Sequence, residues 1–109
     1  MGSVERIAAR LRAVARAGRT VTYNDLAAVV GWDMGDSTAA REVAGILRAI
    51  STAEHGAGRP LLSAVVVGAK TERPGKGFFK LAQRLGRYDG GADGAFFAQE
   101  LRRVYAHWQ

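Results

Sequence analysis

The chain of 109 residues contains no cysteine, and this absence excludes several kinds of site. Disulfide bridges, thiolate metal sites and cysteine nucleophiles all require that residue. The absence suits a reducing compartment, and we expect a cytoplasmic protein. The two histidines, His55 and His107, lie far apart in the sequence and make a poor pair of metal ligands. The sequence therefore predicts neither a metal nor a cofactor.

Long apolar runs are also missing. No run approaches the ~20 apolar residues that are needed to span a bilayer. Charges at Glu5, Arg6 and Arg10 interrupt the opening segment, so a signal-peptide core cannot form there. There are only two prolines, and no tract long enough to act as a linker divides the chain. We expect one soluble domain over residues 1–109, with no membrane partner.

Acidic residues are scarce relative to basic ones. Ten acidic residues face sixteen basic ones, thirteen of them arginine, which gives a formal net charge of +6. Such a charge favours a polyanionic partner, because the summed field attracts phosphate backbones. A chain rich in alanine, glycine and arginine also arises from a GC-rich genome. The placement of the charges must therefore decide between the two explanations.

Apolar periodicity predicts five helices. They are expected at residues 3–17, Tyr23–Val30, 37–51, 78–86 and 95–108. Thr22 is predicted to cap the second helix, and Asp36 or Ser37 the third. In the first helix the inward positions begin at Val4. In the last helix the spacing predicts five inward side chains, namely Phe97, Leu101, Val104, Tyr105 and Trp108.

The segments between these helices complete the expected fold. Residues 53–60 are predicted to form a loop, and the β-branched run 61–69 a buried strand. The order of elements is typical of an α+β winged helix-turn-helix domain with additional C-terminal helices. Its parts would be a three-helix core over 3–51, a strand and wing over 61–80, and the C-terminal helices over 78–108.

The helix 37–51 is a candidate recognition helix for DNA. With its apolar stripe turned inward, four residues share its outward face, namely Thr38, Arg41, Gly45 and Arg48. An arginine there can bind guanine or clamp a phosphate. A helix interior loses ~1 kcal/mol for a glycine relative to alanine, and close approach to DNA would compensate for Gly45. The alternatives are a solvated arginine face and a Gly45 that packs against a neighbouring helix.

The turn 70-KTERPGKGFFK-80 is a second candidate. Lys70, Arg73, Lys76 and Lys80 surround a Pro-Gly corner, and a wing that contacts phosphates needs such basic side chains with exposed amides. An ordinary solvated turn is the competing interpretation. The Gly75-Lys76-Gly77 sequence lacks the spacing of a phosphate-binding P-loop.

A catalytic centre is not apparent in the sequence. Ser63, His55 and Glu54 supply the residue types of a triad, yet Ser63 falls inside a buried apolar run without the glycines of a nucleophile elbow. Asp33 and Asp36 fit a turn and a helix cap better than a metal site. We expect a protein that is not an enzyme, with a hydrolase based on Ser63 as a distant alternative.

Two short motifs resemble a known family. Residues 21-VTYNDLA-27 look like the V-S/T-Y-G-D-L-A segment in the DNA-binding domain of O6-alkylguanine-DNA alkyltransferases and alkyltransferase-like proteins. Residues 40-AREVA-44 resemble the A-R-x-V-G of the recognition helix in that family. Residues 62-LSAVVV-67 stand where the family has P-C/W-H-R-V-V. The resemblance covers roughly residues 20–68, whereas 78–109 departs from it.

The resemblance implies a winged-helix module that docks on duplex DNA through the minor groove. By this correspondence Tyr23 matches the tyrosine that rotates the target nucleotide, and Arg41 the arginine that replaces the flipped base. By the same correspondence Ser63 would lie at or near the reactive cysteine position, and Ala64 would replace the histidine of its activating network. Without the cysteine, alkyl transfer is excluded on chemical grounds.

The sequence therefore predicts a non-enzymatic protein that binds double-stranded DNA through the helix 37–51 and the turn 70–80. Arg10, Arg16 and Arg19 are candidates to extend the phosphate track. The alternative is a winged-helix adaptor, phage- or defence-related, that binds an acidic protein partner. The DNA hypothesis requires the arginines of the helix and the lysines of the turn to converge. The adaptor requires an exposed apolar patch, expected at Trp32 or Trp108. No heptad pattern indicates an oligomeric state.

Overall fold

A computed structural model describes residues 2–109 as a small, mostly helical α+β fold. The elements follow in chain order as α1 (Ser3–Arg16), β1 (Val21–Thr22), α2 (Tyr23–Val29), α3 (Ser37–Gly56), a 3-10 helix (Leu62–Val65), β2 (Val66–Val67), α4 (Lys76–Arg84) and α5 (Asp93–Trp108). The five predicted helices are confirmed, with shifts at their ends. Helix α3 continues five residues beyond its predicted end, so the first part of the predicted loop 53–60 is helical.

Local capping chemistry starts two of the helices where the sequence predicts. The Thr22 hydroxyl accepts a hydrogen bond of 3.1 Å from the Asp25 amide at the start of α2. The Asp36 carboxylate accepts one of 2.8 Å from the Thr38 amide at the start of α3. Each bond satisfies an amide that the helix itself leaves without a partner. Asp36, rather than Ser37, is therefore the cap of α3.

The predicted strand 61–69 is mostly wrong in its secondary structure and right in its burial. Residues 61–67 are all buried, yet 62–65 form a 3-10 helix and only Val66 and Val67 form a strand. A buried apolar run has no periodicity that separates a strand from a helix, so its spatial neighbours decide. Here α1, α3 and α5 all pack on residues 62–65, and β1 offers β2 a partner of only two residues.

The sheet is correspondingly small. Val21 pairs with Val66 and Thr22 with Val67, in parallel. The β-hairpin of a wing is not among the elements found over residues 2–109. The turn that follows β2 leads directly into α4, which starts two residues earlier than predicted and includes Lys76 and Lys80.

The core lies around the 3-10 helix. Helix α1 contributes Ile7, Leu11, Val14 and Ala15, whereas Val4 is 45% exposed, against its predicted inward position. In α5 the buried stripe consists of Phe96, Glu100 and Val104, so its centre is rotated from the predicted one. The predicted Phe97, Leu101, Tyr105 and Trp108 are half-buried at its edges. Glu100 lies at the centre of this stripe, and its buried carboxylate has partners that are described below.

Candidate nucleic-acid interface

The outward face of α3 carries the residues that the sequence predicts. Thr38, Arg41 and Arg48 are exposed, and Gly45 is half-buried between the two arginines. The opposite side of the helix buries Val43, Ile46, Leu47 and Ile50 in the core. The periodicity of this helix was therefore interpreted correctly, and its two arginines lie on the solvent side.

Gly45 is not required by packing within the chain. A Cβ atom placed on Gly45 would have only the Arg48 Nη2 atom nearby, at 3.8 Å, which is an ordinary contact distance. Packing against a neighbouring helix therefore does not explain this glycine. Its effect is to leave a flat site between Arg41 and Arg48, where another surface can approach the α3 backbone.

The turn between β2 and α4 is closed by its own hydrogen bonds. The Gly68 amide donates to the Arg73 carbonyl, and the Glu72 amide donates to the Gly68 carbonyl, each at 2.9 Å. Glu72 adopts a left-handed backbone with φ of 55°, which closes the turn tightly. Lys70 and Arg73 are exposed on this turn.

Arg73 is directed towards α5 and not towards α3. A Cβ atom on Gly94 would lie 3.0 Å from the Arg73 Nη2 atom, so this guanidinium rests against the first turn of α5. Neither Arg73 nor Lys70 lines the pocket that α3 borders. The structure thus leaves these two predicted contacts apart from Arg48.

A pocket of about 330 Å³ lies between α3 and α4. Its walls are mainly apolar, with Met34, Leu47, Phe78 and Leu81 among them. Three polar side chains also line it, namely Tyr23, Arg48 and Ser63. Gly75 and Gly77 form its edge, and Lys76 stands between them as the first residue of α4. The pocket therefore has α3 on one side and the start of α4 on the other.

Tyr23 joins α2 to the edge of this pocket. Its hydroxyl oxygen accepts a hydrogen bond of 2.8 Å from the Gly75 amide, 52 residues further along the chain. Burial raises the pKa of Tyr23, although the Gly75 amide bond opposes the shift. The phenol is therefore neutral at ordinary pH, and its proton remains available for donation.

Ser63, on the 3-10 helix at the pocket wall, has another serine as its partner. Its hydroxyl is 2.6 Å from the Ser51 hydroxyl, and its amide donates to the same Ser51 oxygen at 3.1 Å. Both serines are buried. His55 contacts a different group, with its Nδ1 atom 3.5 Å from the Arg87 Nη1 atom. The histidine that a serine nucleophile needs is thus engaged elsewhere.

The basic side chains fall into two groups, those that form ion pairs with carboxylates and those that form none within residues 2–109. Glu100 is fully buried at 0% exposure, and its carboxylate pairs with Arg87 at 2.9 Å and with Arg103 at 3.3 Å. It also accepts a 2.8 Å hydrogen bond from the Leu61 amide. Glu54 pairs with Arg59 in the same part of the molecule. These are the ion pairs found over residues 2–109, so the basic side chains of α3 and of the 70–76 turn have no carboxylate partner there.

Sequence reasoning missed the pocket itself. Leu47, Phe78 and Leu81 have the spacing of core residues, and they are indeed buried. What makes them a wall is the gap between α3 and α4, which depends on how two helices from distant parts of the chain meet. The proximity of Gly75 and Gly77 to an aromatic pair was the only local signal.

The two tryptophans do not form the apolar patch of an adaptor. Trp32 and Trp108 are both half-buried against the core, and the Arg16 guanidinium lies 5.6 Å from the centre of the Trp108 ring. Val4 is the single large apolar side chain that is exposed in the part of the chain described by the structure. Within the same residues, no three metal-binding side chains meet, and no helix combines the length and apolarity that crossing a membrane requires.

Comparison with protein-family models, curated proteins and solved structures found no match to this chain.

Proposed function

We propose that this chain binds duplex DNA without catalysing a reaction. The observation that carries the proposal is the pocket that Arg48 of α3 lines, at whose edge Lys76 of α4 lies between Gly75 and Gly77 in the sequence. Neither cation is paired with a carboxylate within residues 2–109. Unpaired cations that converge from two elements create a local positive potential. A phosphate backbone releases counterions when it meets such a surface, and this release drives binding.

The outward face of α3 is the proposed contact with a DNA groove. Arg41 lies near the start of the helix, Arg48 two turns later, and Thr38 in the first turn. The flat site at Gly45 allows the backbone of α3 to approach the groove closely. In this proposal the fold is related to the winged helix-turn-helix domains, with α2 and α3 as the helix pair. The start of α4 then serves in place of a wing through Lys76, whereas Lys70 and Arg73, which lie apart from Arg48, are left out of this contact.

The pocket supports an extension of this proposal, in which it receives one unstacked base. Its volume of about 330 Å³ is at the small end of ligand pockets, which suits a single ring system. Apolar walls favour the stacking faces of a base, and the Tyr23, Ser63 and Arg48 side chains supply polar contacts for its edge. The resemblance to the alkyltransferase DNA-binding domain, in which Tyr23 matches a nucleotide-rotating tyrosine, agrees with this role. Alkyl transfer is not part of it, because the chain has no cysteine.

The adaptor alternative has less support. An adaptor needs an exposed apolar patch as the core of its interface. The half-buried Trp32 and Trp108 do not provide one. A partner recognised mainly by charge must then supply acidic groups, and DNA supplies them at higher density than most proteins do.

The test is fluorescence anisotropy of a labelled 20-base-pair duplex, titrated with the protein at several salt concentrations. Four or five phosphate contacts predict a slope of the logarithm of affinity against the logarithm of salt near −4. Replacing two contact residues, as in R48Q/K76Q, should reduce that slope by about two. A duplex with one unpaired base should bind more tightly than a fully paired one, because the cost of unstacking is already lowered.

The matched control is R84Q/R102Q, which removes the same charge from exposed positions on α4 and α5. We expect this control to retain more of the slope than R48Q/K76Q. If the slope fell equally in the two variants, the DNA would not bind at a defined interface, and only non-specific attraction between the basic protein and DNA would remain. Absence of binding at low salt would refute the DNA function.

A further inference from the structure

Helix α1 and the turn that follows it carry a second set of basic side chains, and none of these lines the pocket between α3 and α4. Residues 2–19 contain five arginines and one glutamate, a formal charge of +4. The arginines are Arg6, Arg10, Arg12, Arg16 and Arg19. None of them belongs to an ion pair found over residues 2–109. We call these five residues the α1 surface.

The α1 surface faces a different side of the molecule from the proposed groove contact. Helix α1 packs on α2, α3, α5 and the 3-10 helix, and its buried stripe includes Ile7 and Leu11. Its polar side therefore points away from α3. The exposed arginines of α3 likewise lie on the side of that helix opposite its buried residues, which face the core and α1. No residue of α1 lines the pocket beside Arg48. One duplex seated on α3 would thus leave the α1 surface uncovered.

Local contacts organise part of this surface. The Arg6 Nη2 atom donates a 2.8 Å hydrogen bond to the Val29 carbonyl. Arg16 lies over the Trp108 ring at 5.6 Å from its centre, an arrangement that holds a guanidinium and leaves its charge in place. Because these side chains are already ordered, less conformational entropy is lost when they bind an anion.

Arg10 and Arg19 border one shallow groove of about 290 Å³ on α1. The hydroxyl-bearing Thr20 and Thr22 line it as well, and they are groups that commonly contact phosphate oxygens. Asp25 is the one acidic residue in the lining. Two guanidinium groups therefore face a single carboxylate in the groove, and the balance favours an anion.

We propose that the α1 surface binds the phosphate backbone of a second DNA segment, so that one molecule joins two duplexes. The inference rests on the proposed DNA binding through α3. Arginine suits the role because its planar guanidinium binds phosphate with two hydrogen bonds. Fourteen helical residues extend about 20 Å, which is enough to follow several phosphates. An acidic protein segment is the competing occupant, and the experiment separates it from DNA.

The experiment is a two-duplex capture. A biotinylated duplex is fixed on beads, the protein is added and washed, and a fluorescent second duplex is then offered in solution. The wild-type protein should hold the second duplex, and added salt should release it. The R10Q/R16Q variant should stay on the first duplex as R84Q/R102Q does, and should capture at least ten-fold less of the second. Glutamine preserves helix propensity at both α1 positions.

Each outcome decides the inference. Selective loss of capture in R10Q/R16Q, with one protein per two duplexes by sedimentation, supports it. Equal capture by R10Q/R16Q and R84Q/R102Q overturns it, and so does a wild-type protein that holds only the first duplex, although DNA binding through α3 then stands. Polyglutamate and competitor DNA are compared at equal concentrations of negative charge. If polyglutamate releases the second duplex at the lower concentration, the inference is overturned in favour of an acidic protein partner. A protein that the first duplex does not retain refutes the proposed function and this inference together.

Discussion

Arginine has two different environments in this molecule, one around Glu100 in the middle of α5 and one on the exposed face of α3. Arg87 and Arg103 are fixed on the buried Glu100, whose carboxylate also holds the Leu61 amide. Arg41 and Arg48 project from α3 with no carboxylate partner within residues 2–109. A buried charge must be paired if the fold is to survive, whereas an exposed unpaired charge costs folding little. The first group should therefore control stability, and the second should control binding.

The largest effect on stability is expected from Glu100→Ala, which removes the carboxylate that Arg87 and Arg103 share. The change leaves the Arg87 guanidinium, 21% exposed, and the buried Leu61 amide without their shared acceptor. Removing one partner of a buried pair costs about 3–5 kcal/mol of unfolding free energy. Urea denaturation followed by circular dichroism measures this loss.

Two further variants control for a failure of Glu100→Ala to fold. Glu100→Gln keeps the shape and an acceptor for Leu61, so it should lose less stability than the alanine variant. Glu42 is an exposed glutamate on α3 that forms no ion pair within residues 2–109, so Glu42→Ala should change stability by no more than about 0.5 kcal/mol. If Glu100→Ala and Glu42→Ala had similar effects, the paired group would not stabilise the fold.

Arg41→Ala tests the unpaired group, and the expected effect is smaller. If Arg41 contacts a base, its loss should weaken duplex binding by about 1–3 kcal/mol in the anisotropy titration. The unfolding free energy should stay within about 0.5 kcal/mol of wild type, because the side chain is exposed and unpaired. Arg102→Ala removes the same charge from α5 and is the control. Undiminished affinity in Arg41→Ala would refute the assignment of α3 as the recognition helix.

The sequence predicts well where a structure depends on neighbouring residues. Thr22 and Asp36 cap α2 and α3 through bonds to amides two or three residues away, so their chemistry is visible in a short window. The outward position of Arg41 and Arg48 follows from the helical period alone. These are the features on which the DNA hypothesis depends most.

The sequence predicts poorly where a structure depends on distant partners. Glu100 looks like an outward residue of α5, and its burial depends on Arg87 and on Leu61, which is 39 residues away. The run 62–65 has the composition of a strand, yet it lies among three helices and has no strand to pair with. The pocket likewise exists only because α3 and α4 meet with a gap between them.

The smallest effect concerns Tyr88, which ties the loop after α4 to the start of α5 on the paired side of the molecule. Its hydroxyl donates a hydrogen bond to the Asp93 carboxylate, and this bond, with burial and the nearby negative charges, raises the pKa of Tyr88 to about 12. An unfolded tyrosine has a pKa of about 10. The folded state therefore binds this proton more tightly, and its contribution to stability is complete below pH 10 and is lost as the pH rises from 10 to 12.

We expect Tyr88→Phe to show a shallower fall of unfolding free energy than wild type between pH 10 and pH 12, and a constant difference from wild type below pH 10. Urea denaturation at intervals between pH 8 and pH 12 measures both curves, and Tyr23 and Tyr105, whose pKa values are also raised, contribute equally to each. Parallel curves would mean that the bond to Asp93 does not raise the pKa of Tyr88.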